Sequence, residues 1–246
     1  MPNITPEQDA LLNDLVDANH ILFNEGVVDA FGHVSVRHPE NPEQFILSRN
    51  RAPGLVEKED LMIFNLDGQA VNDNRKPYLE RFIHGEIYRK RPDVMSIVHS
   101  HSASVVPFSV LRNYPLRAMC HMSGFIGEGA PIFEIREAGG NATDLLISSQ
   151  HLGSALADSL ADHPLILMRG HGSTVVADSL KKAVYRAVYV EVNARAQTEA
   201  SRLGKIEFLT KEEAATAMNN IEGQADRPWQ LWKLRARKAR DILLAK

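Results

Sequence analysis

The chain has 246 residues, a length that fits one large domain or two small ones, with a hydrophobic fraction of 44% and a charged fraction of 24% that are ordinary for a soluble globular protein. A net charge of -3 gives no general drive toward nucleic acid or anionic membrane, and no run approaches the roughly 18 apolar residues of a membrane span. The single cysteine, Cys120, excludes an internal disulfide and fits a reducing, cytoplasmic setting, where it reads as a buried, inert side chain.

The first stretch lacks the basic and long apolar regions of a secretory signal. "TPEQDALLNDLVDANHILFNEG" predicts a helix instead, with Thr5 as N-cap, Pro6 at the first position and Gln8 closing a capping box. Leu11, Leu15, Ala18 and Leu22 share one face, and Gly26 stops the helix. "HVSVRH", "QFILSR" and "LMIFNLDG" read as short strands. "YLERFIHGEIYRKR" has helical spacing, with Leu79, Phe82, Ile83 and Ile87 on its apolar side. "MSIVHSHS" is a predicted strand, "SASVVPFSVLR" a helix broken or begun near Pro107, and "PIFEI", "LILM" and "STVVA" further strands. A long helix runs from Asp178 or Ser179 to Gly204. The elements alternate without a clean βαβ rhythm, so a mixed sheet covered by helices fits better than a doubly wound parallel sheet.

Three separate places in this order carry chemistry. His99 and His101 stand one residue apart in an apolar run, and on an extended strand they point to one side, about 6.5 to 7 Å apart. They read either as two ligands aimed at one ion or as two hydrogen-bonded histidines at a strand edge. His171 lies between two glycines directly after a strand; it is either brought close to a neighbouring element or held in an ordinary Gly-rich turn. Glu80, near a helix start behind Pro77, has largely apolar helical neighbours and calls for a partner, unless it simply serves the helix dipole. Together, three imidazoles and one carboxylate suit a catalytic divalent ion with room for substrate.

Glu80, "RPDVMSIVHSHS" and "LILMRGHG" resemble the class II aldolase/adducin family, over about residues 8 to 205. The resemblance implies an α/β fold, an α/β/α sandwich with a central mixed, largely antiparallel sheet. It also implies one divalent metal ion per subunit, on Glu80, His99, His101 and His171, and a homotetramer with active sites at subunit interfaces. The domain expected is 1–208, followed by a helical C-terminal extension, 209–246, packing on the domain or on a neighbouring subunit. The ligand set accepts Zn²⁺, Mn²⁺, Co²⁺ or Fe²⁺.

The chain departs from the phosphate-binding pattern of the family's sugar-phosphate aldolases and epimerases. "VVDAFGHVSVR" puts His33 where an Asn would be, and "KPYLER" puts Tyr78 and Leu79 where a Ser pair would precede Glu80. Bulk replaces the small hydroxyls that would meet a phosphate. Two arginines in "FILSRNRAPG", Arg49 and Arg51, suit a planar carboxylate or form a solvated loop pair. The set resembles the branch that decarboxylates hydroxylated aromatic or pyridine carboxylates. That branch implies a metal-dependent, non-oxidative carboxy-lyase acting on a small aromatic acid, with no nucleic-acid or membrane partner. Glu80 would be a permanent ligand or a base that leaves and rejoins the metal. His33 and His121 are the two candidate general acids, His121 reaching in from a neighbouring subunit. An aldolase or epimerase, and a non-catalytic adducin-like interaction module, are the rival readings.

The C-terminal stretch "RPWQLWKLRARKARDILLAK" sets Lys233, Arg235, Arg237, Lys238 and Arg240 beside Trp229 and Trp232. It reads as a basic helix packed on the domain rather than a nucleic-acid site, with tryptophans that would wall an aromatic pocket across a subunit boundary.

Overall fold

Thr5 caps the first helix, α1 (Pro6–Asn24), by accepting from the Gln8 amide at 3.2 Å, and the Gln8 side chain accepts from the Thr5 amide at 3.0 Å. The chain leaves the helix through Gly26 at φ +73°, a conformation glycine adopts without strain. These features belong to a computed structural model that describes residues 5–244; residues 1–4 and 245–246 of the expected spans lie outside the described residues.

Three strands and a helix follow: β1 (His33–Arg37), β2 (Gln44–Ser48), β3 (Leu61–Asn65) and α2 (Arg81–Lys90). Next come β4 (Ser96–Ser100), α3 (Val106–Val110), β5 (Ile132–Phe133), α4 (Arg136–Gly139) and α5 (Gln150–Leu160). The chain closes with β6 (Leu165–Met168), β7 (Gly172–Ala177), α6 (Leu180–Leu203), α7 (Lys211–Ile221) and α8 (Asp226–Leu244). The seven strands form one sheet in the order β3-β2-β1-β4-β7-β6-β5. Neighbours are antiparallel except β5 and β6, which run parallel. The sheet is thus mixed and largely antiparallel.

Side-chain alternation along each strand builds the two apolar layers of the sandwich. Val34, Val36, Val98, Leu167 and Val175 face the layer of α1 and α6, where Leu15, Ile21, Ala183 and Val188 pack. Phe45, Phe64, Ile97, Ile166 and Val176 face the layer of α2 and α5, where Ile83, Ile87, Leu156 and Leu160 pack. His33 and Ser35 on β1 alternate with Val34 and Val36, and His99 on β4 follows Ile97. All three therefore lie on the α2 side of the sheet.

Several local expectations need correction. Leu79 is 58% exposed because α2 starts only at Arg81. β5 is two residues long, and β4 ends at Ser100, so His101 stands just past the strand. Cys120 is half-buried, its Sγ 3.4 Å from Ser123 Oγ. Trp229 and Trp232 are buried in this chain's own core, with Tyr189 6.1 Å from Trp232 ring to ring. They do not wall a pocket. The basic residues of α8 meet acids of the same chain: Lys233 reaches Asp14 at 2.8 Å and Asp17 at 2.9 Å, and Arg237 reaches Asp17 at 2.8 Å. Arg240 pairs with Glu57. Among the described residues, no helix is long and apolar enough to cross a membrane.

Candidate metal centre

Register delivers the histidines to one end of the central strands. On β1 and β4, His33 lies opposite His99; on β4 and β7, His99 lies opposite Thr174. The turn from β6 to β7 runs through Gly170 at φ +66° and presents His171 at the end of β4. Gly172 permits this approach, because a Cβ there would lie 2.0 Å from the Ser100 carbonyl oxygen and 3.1 Å from His101 Cα. Glu80 occupies the N-cap position of α2, but its side chain makes no cap bond to its own helix. Its Oε1 accepts the Ile147 amide at 3.0 Å instead, which fixes the carboxylate in place.

Glu80, His99, His101 and His171 each bring one ligand atom into a group within 4.8 Å of one another. His99 Nε2 is 3.0 Å from His101 Nε2, and His171 Nε2 is 2.9 Å from the same atom. Glu80 Oε2 stands 3.5 Å from His99, 3.9 Å from His101 and 3.4 Å from His171. The outer nitrogens explain why these atoms crowd. His99 Nδ1 faces the Ser173 carbonyl at 3.1 Å, and His171 Nδ1 faces the Leu145 carbonyl at 2.8 Å. A carbonyl only accepts, so both rings carry their hydrogen on Nδ1 and turn bare Nε2 lone pairs inward. Lone pairs and a carboxylate oxygen pointing at one spot repel unless a cation sits among them. The residues therefore fit a divalent ion.

Burial sets the local acid–base behaviour. It pushes the His99 imidazole down, and it pushes His101 down to about 4, helped there by His99 and His171. Burial works against an ionised Glu80, and His99 and His171 outweigh it when either ring takes up a proton, so the carboxyl lies well below its ordinary range. Neutral imidazoles beside a carboxylate are the protonation states metal binding requires.

A ring of further side chains surrounds this group. His33 is buried, 5.0 Å ring to ring from His99 and 4.7 Å from Tyr78. Burial, with His84 beside it, keeps the His33 imidazole well below its usual value. Its Nδ1 is 2.7 Å from His84 Nε2, a residue the motifs did not single out although it lies one helical turn after Glu80. Phe31, 65% exposed, has its ring 6.3 Å from His101. Tyr78 donates to the Arg51 carbonyl, and burial raises its hydroxyl to about 12. Arg49 and Arg51 both turn to Asp60, at 2.6 and 3.1 Å. His121 is exposed at the start of an otherwise largely buried 3-10 turn, its side chain has no hydrogen-bond partner among the described residues, and it is not brought to the histidine group within this chain. Beyond His101, Ser102 and Ser104 both donate to the buried Glu191 carboxylate, Ser104 at 2.7 Å.

A mixed, largely antiparallel sheet with three histidines and a helix-start glutamate gathered at one end of its central strands defines an α/β protein with a site able to hold a divalent cation. The chain belongs to the class II aldolase and adducin family: the Class II Aldolase and Adducin N-terminal domain matches residues 13–198. The decarboxylase tropJ of Talaromyces stipitatus is 39% identical over 237 residues, covering 87% of this chain and 89% of that protein. The 3,4-dihydroxyphthalate decarboxylase of Arthrobacter keyseri is 27% identical over 202 residues, covering 76% and 77%. In three dimensions, the L-fuculose 1-phosphate aldolase of Glaciozyma antarctica superposes with a TM-score of 0.77 at 25% identity, covering 97% of this chain and 96% of that one. Decarboxylases and aldolases are both carbon–carbon lyases. This chain is one too, and the carboxy-lyase reading fits the first two relatives.

Proposed function

We propose that the chain is a metal-dependent, non-oxidative decarboxylase of a hydroxylated aromatic or pyridine carboxylate, working in the cytoplasm as a homotetramer. The observation that carries this reading is the inward set of lone pairs on His99 and His171 beside Glu80 Oε2, bordered by the aromatic rings of Tyr78 and Phe31. The two relatives named as decarboxylases support it, one of them by its dihydroxyphthalate substrate.

Glu80, His99, His101 and His171 would hold the ion, zinc or manganese first, with cobalt and iron(II) as further candidates. A divalent ion there supplies Lewis acidity at the ring oxygen, where negative charge gathers as CO₂ leaves. Tyr78 and Phe31 flank a flat ring, and the bulk of Tyr78 stands where a phosphate-binding hydroxyl would be needed. Arg49 and Arg51 share the single acid Asp60, which leaves one net positive charge for a second carboxylate of the substrate. The carbon–carbon bond breaks with its electron pair left on the ring, and that carbon then takes a proton. Of the two candidate acids, His33 is held neutral by burial, a form that donates a hydrogen bond rather than a proton. We therefore assign the proton to His121, presented by an adjoining subunit.

The test is CO₂ release by metal-reconstituted protein from a panel of hydroxylated aromatic and pyridine dicarboxylates, with phosphorylated ketoses run alongside. Turnover of an aromatic acid, abolished by His99→Ala, is expected. Cleavage of a phosphorylated ketose with no aromatic acid turned over would establish the aldolase instead, and failure to bind any divalent ion would establish the interaction module.

A further inference from the structure

The hydrogen-bond chain behind the metal-binding group can run in only one direction. The Tyr88 hydroxyl is 2.8 Å from Ser35 Oγ, Ser35 Oγ is 2.6 Å from His84 Nδ1, and His84 Nε2 is 2.7 Å from His33 Nδ1. All four residues are buried. Ser35 Oγ is the sole hydrogen-bond partner of the Tyr88 hydroxyl among the described residues. If Tyr88 only accepted from Ser35, its own hydrogen would be stranded in the core, an arrangement native interiors avoid. Tyr88 therefore donates to Ser35. Ser35 passes its one hydrogen to His84 Nδ1, and His84, protonated on Nε2, donates to His33 Nδ1. The reverse order leaves the tyrosine hydrogen without an acceptor.

His33 is the open end of this chain. With Nδ1 accepting, its hydrogen sits on Nε2. That nitrogen has no protein partner among the described residues, and its ring lies 5.0 Å from that of His99. We propose that Tyr88, Ser35 and His84 are positioning residues that lock His33 as the Nε2–H tautomer, so that it offers a fixed hydrogen bond to a substrate oxygen beside His99 and serves neither as a further metal ligand nor as a base. A neutral imidazole N–H held this way steadies developing negative charge without giving up its proton. The tautomer follows from the hydrogen bonds alone; its use on a substrate rests on the decarboxylase reading above.

Long-range ¹H–¹⁵N NMR of the ¹⁵N-histidine-labelled protein, metal-free and zinc-loaded, reads the tautomer directly. His33 is expected with a bare Nδ1 and a protonated Nε2 in both forms. Tyr88→Phe removes the head of the chain while keeping the ring, and should bring the Nδ1–H form of His33 into view. In the loaded enzyme it should lower kcat about tenfold with KM and metal content unchanged. His84→Gln, which keeps a donor toward His33, should retain more activity than His84→Phe. A wild-type His33 protonated on Nδ1, or a Tyr88→Phe protein with wild-type tautomer and kcat, would overturn the proposal. The expected tautomer in a protein that releases no CO₂ would leave the chain of hydrogen bonds standing and remove the decarboxylase.

Discussion

Arg49 and Arg51 are joined through Asp60, whose two carboxylate oxygens take one guanidinium each, while Oδ2 also accepts the Glu57 amide at 2.9 Å. The Asp60 carboxyl is held below its ordinary value by that amide and by both arginines, against the opposing effect of its burial. The arrangement stiffens two otherwise mobile side chains and still leaves them about one-third exposed. Replacing either arginine by Ala should raise KM for a dicarboxylate about 10- to 100-fold, the worth of one charge-assisted pair. Metal content, read by elemental analysis, should stay at the wild-type level; equal loss of metal and activity would mean that the pair supports the fold. The residue types at this site were legible in the sequence, since Glu80, the H-x-H pair and His171 converge as the family resemblance implied. Asp60 and His84 were not. Each acts through a partner distant in sequence, 11 residues away for Asp60 with Arg49 and 51 for His84 with His33, and no periodicity encodes such a pairing.

Strand pairs set the spacing between ligands at the scale of elements. β4 and β7 approach so closely at Gly172 that an added methyl group would meet the Ser100 carbonyl. Gly172→Ala must push the two strands apart, moving the Ser173 carbonyl that orients His99 and the backbone that carries His101. The expected result is a loss of metal affinity of tenfold or more by calorimetric titration, with an unchanged far-ultraviolet spectrum. Wild-type affinity would show that the strand ends adjust freely. The helices here were readable because capping and period repeat locally, as the Thr5 box and the Gly26 exit demonstrate. The strand ends were less so. "PIFEI" and "MSIVHSHS" look longer than they are, because a strand stops where its neighbour stops, and that neighbour lies elsewhere in the chain.

The buried histidines act together on the whole molecule. Burial keeps His20, His33, His84, His99 and His101 below their unfolded value, with His84 near 3 and His101 near 4. Below pH 6.5 the unfolded chain takes up protons that the folded chain refuses, so stability is full above that pH and falls as the solution is acidified. Carboxylates with lowered values, such as Glu80, add their own loss only below about 4.5. Between pH 6.5 and 5, therefore, the unfolding free energy of metal-free protein, read by urea titration, should drop steadily, by up to about 1.4 kcal/mol per buried histidine for each pH unit, and the midpoint with it. A flat midpoint over that window would mean that these rings protonate freely in the fold. Composition announced an ordinary folded domain and nothing of this sensitivity, because ten histidines in a sequence do not reveal which of them the core will enclose.

The Ile147 amide occupies one oxygen of Glu80 before any ion arrives. The carboxylate is thereby held with Oε2, rather than Oε1, turned toward the three imidazoles. One backbone N–H on a loop thus anchors the single carboxylate of the group, so that the position of this loop governs whether the acid stays among the three rings.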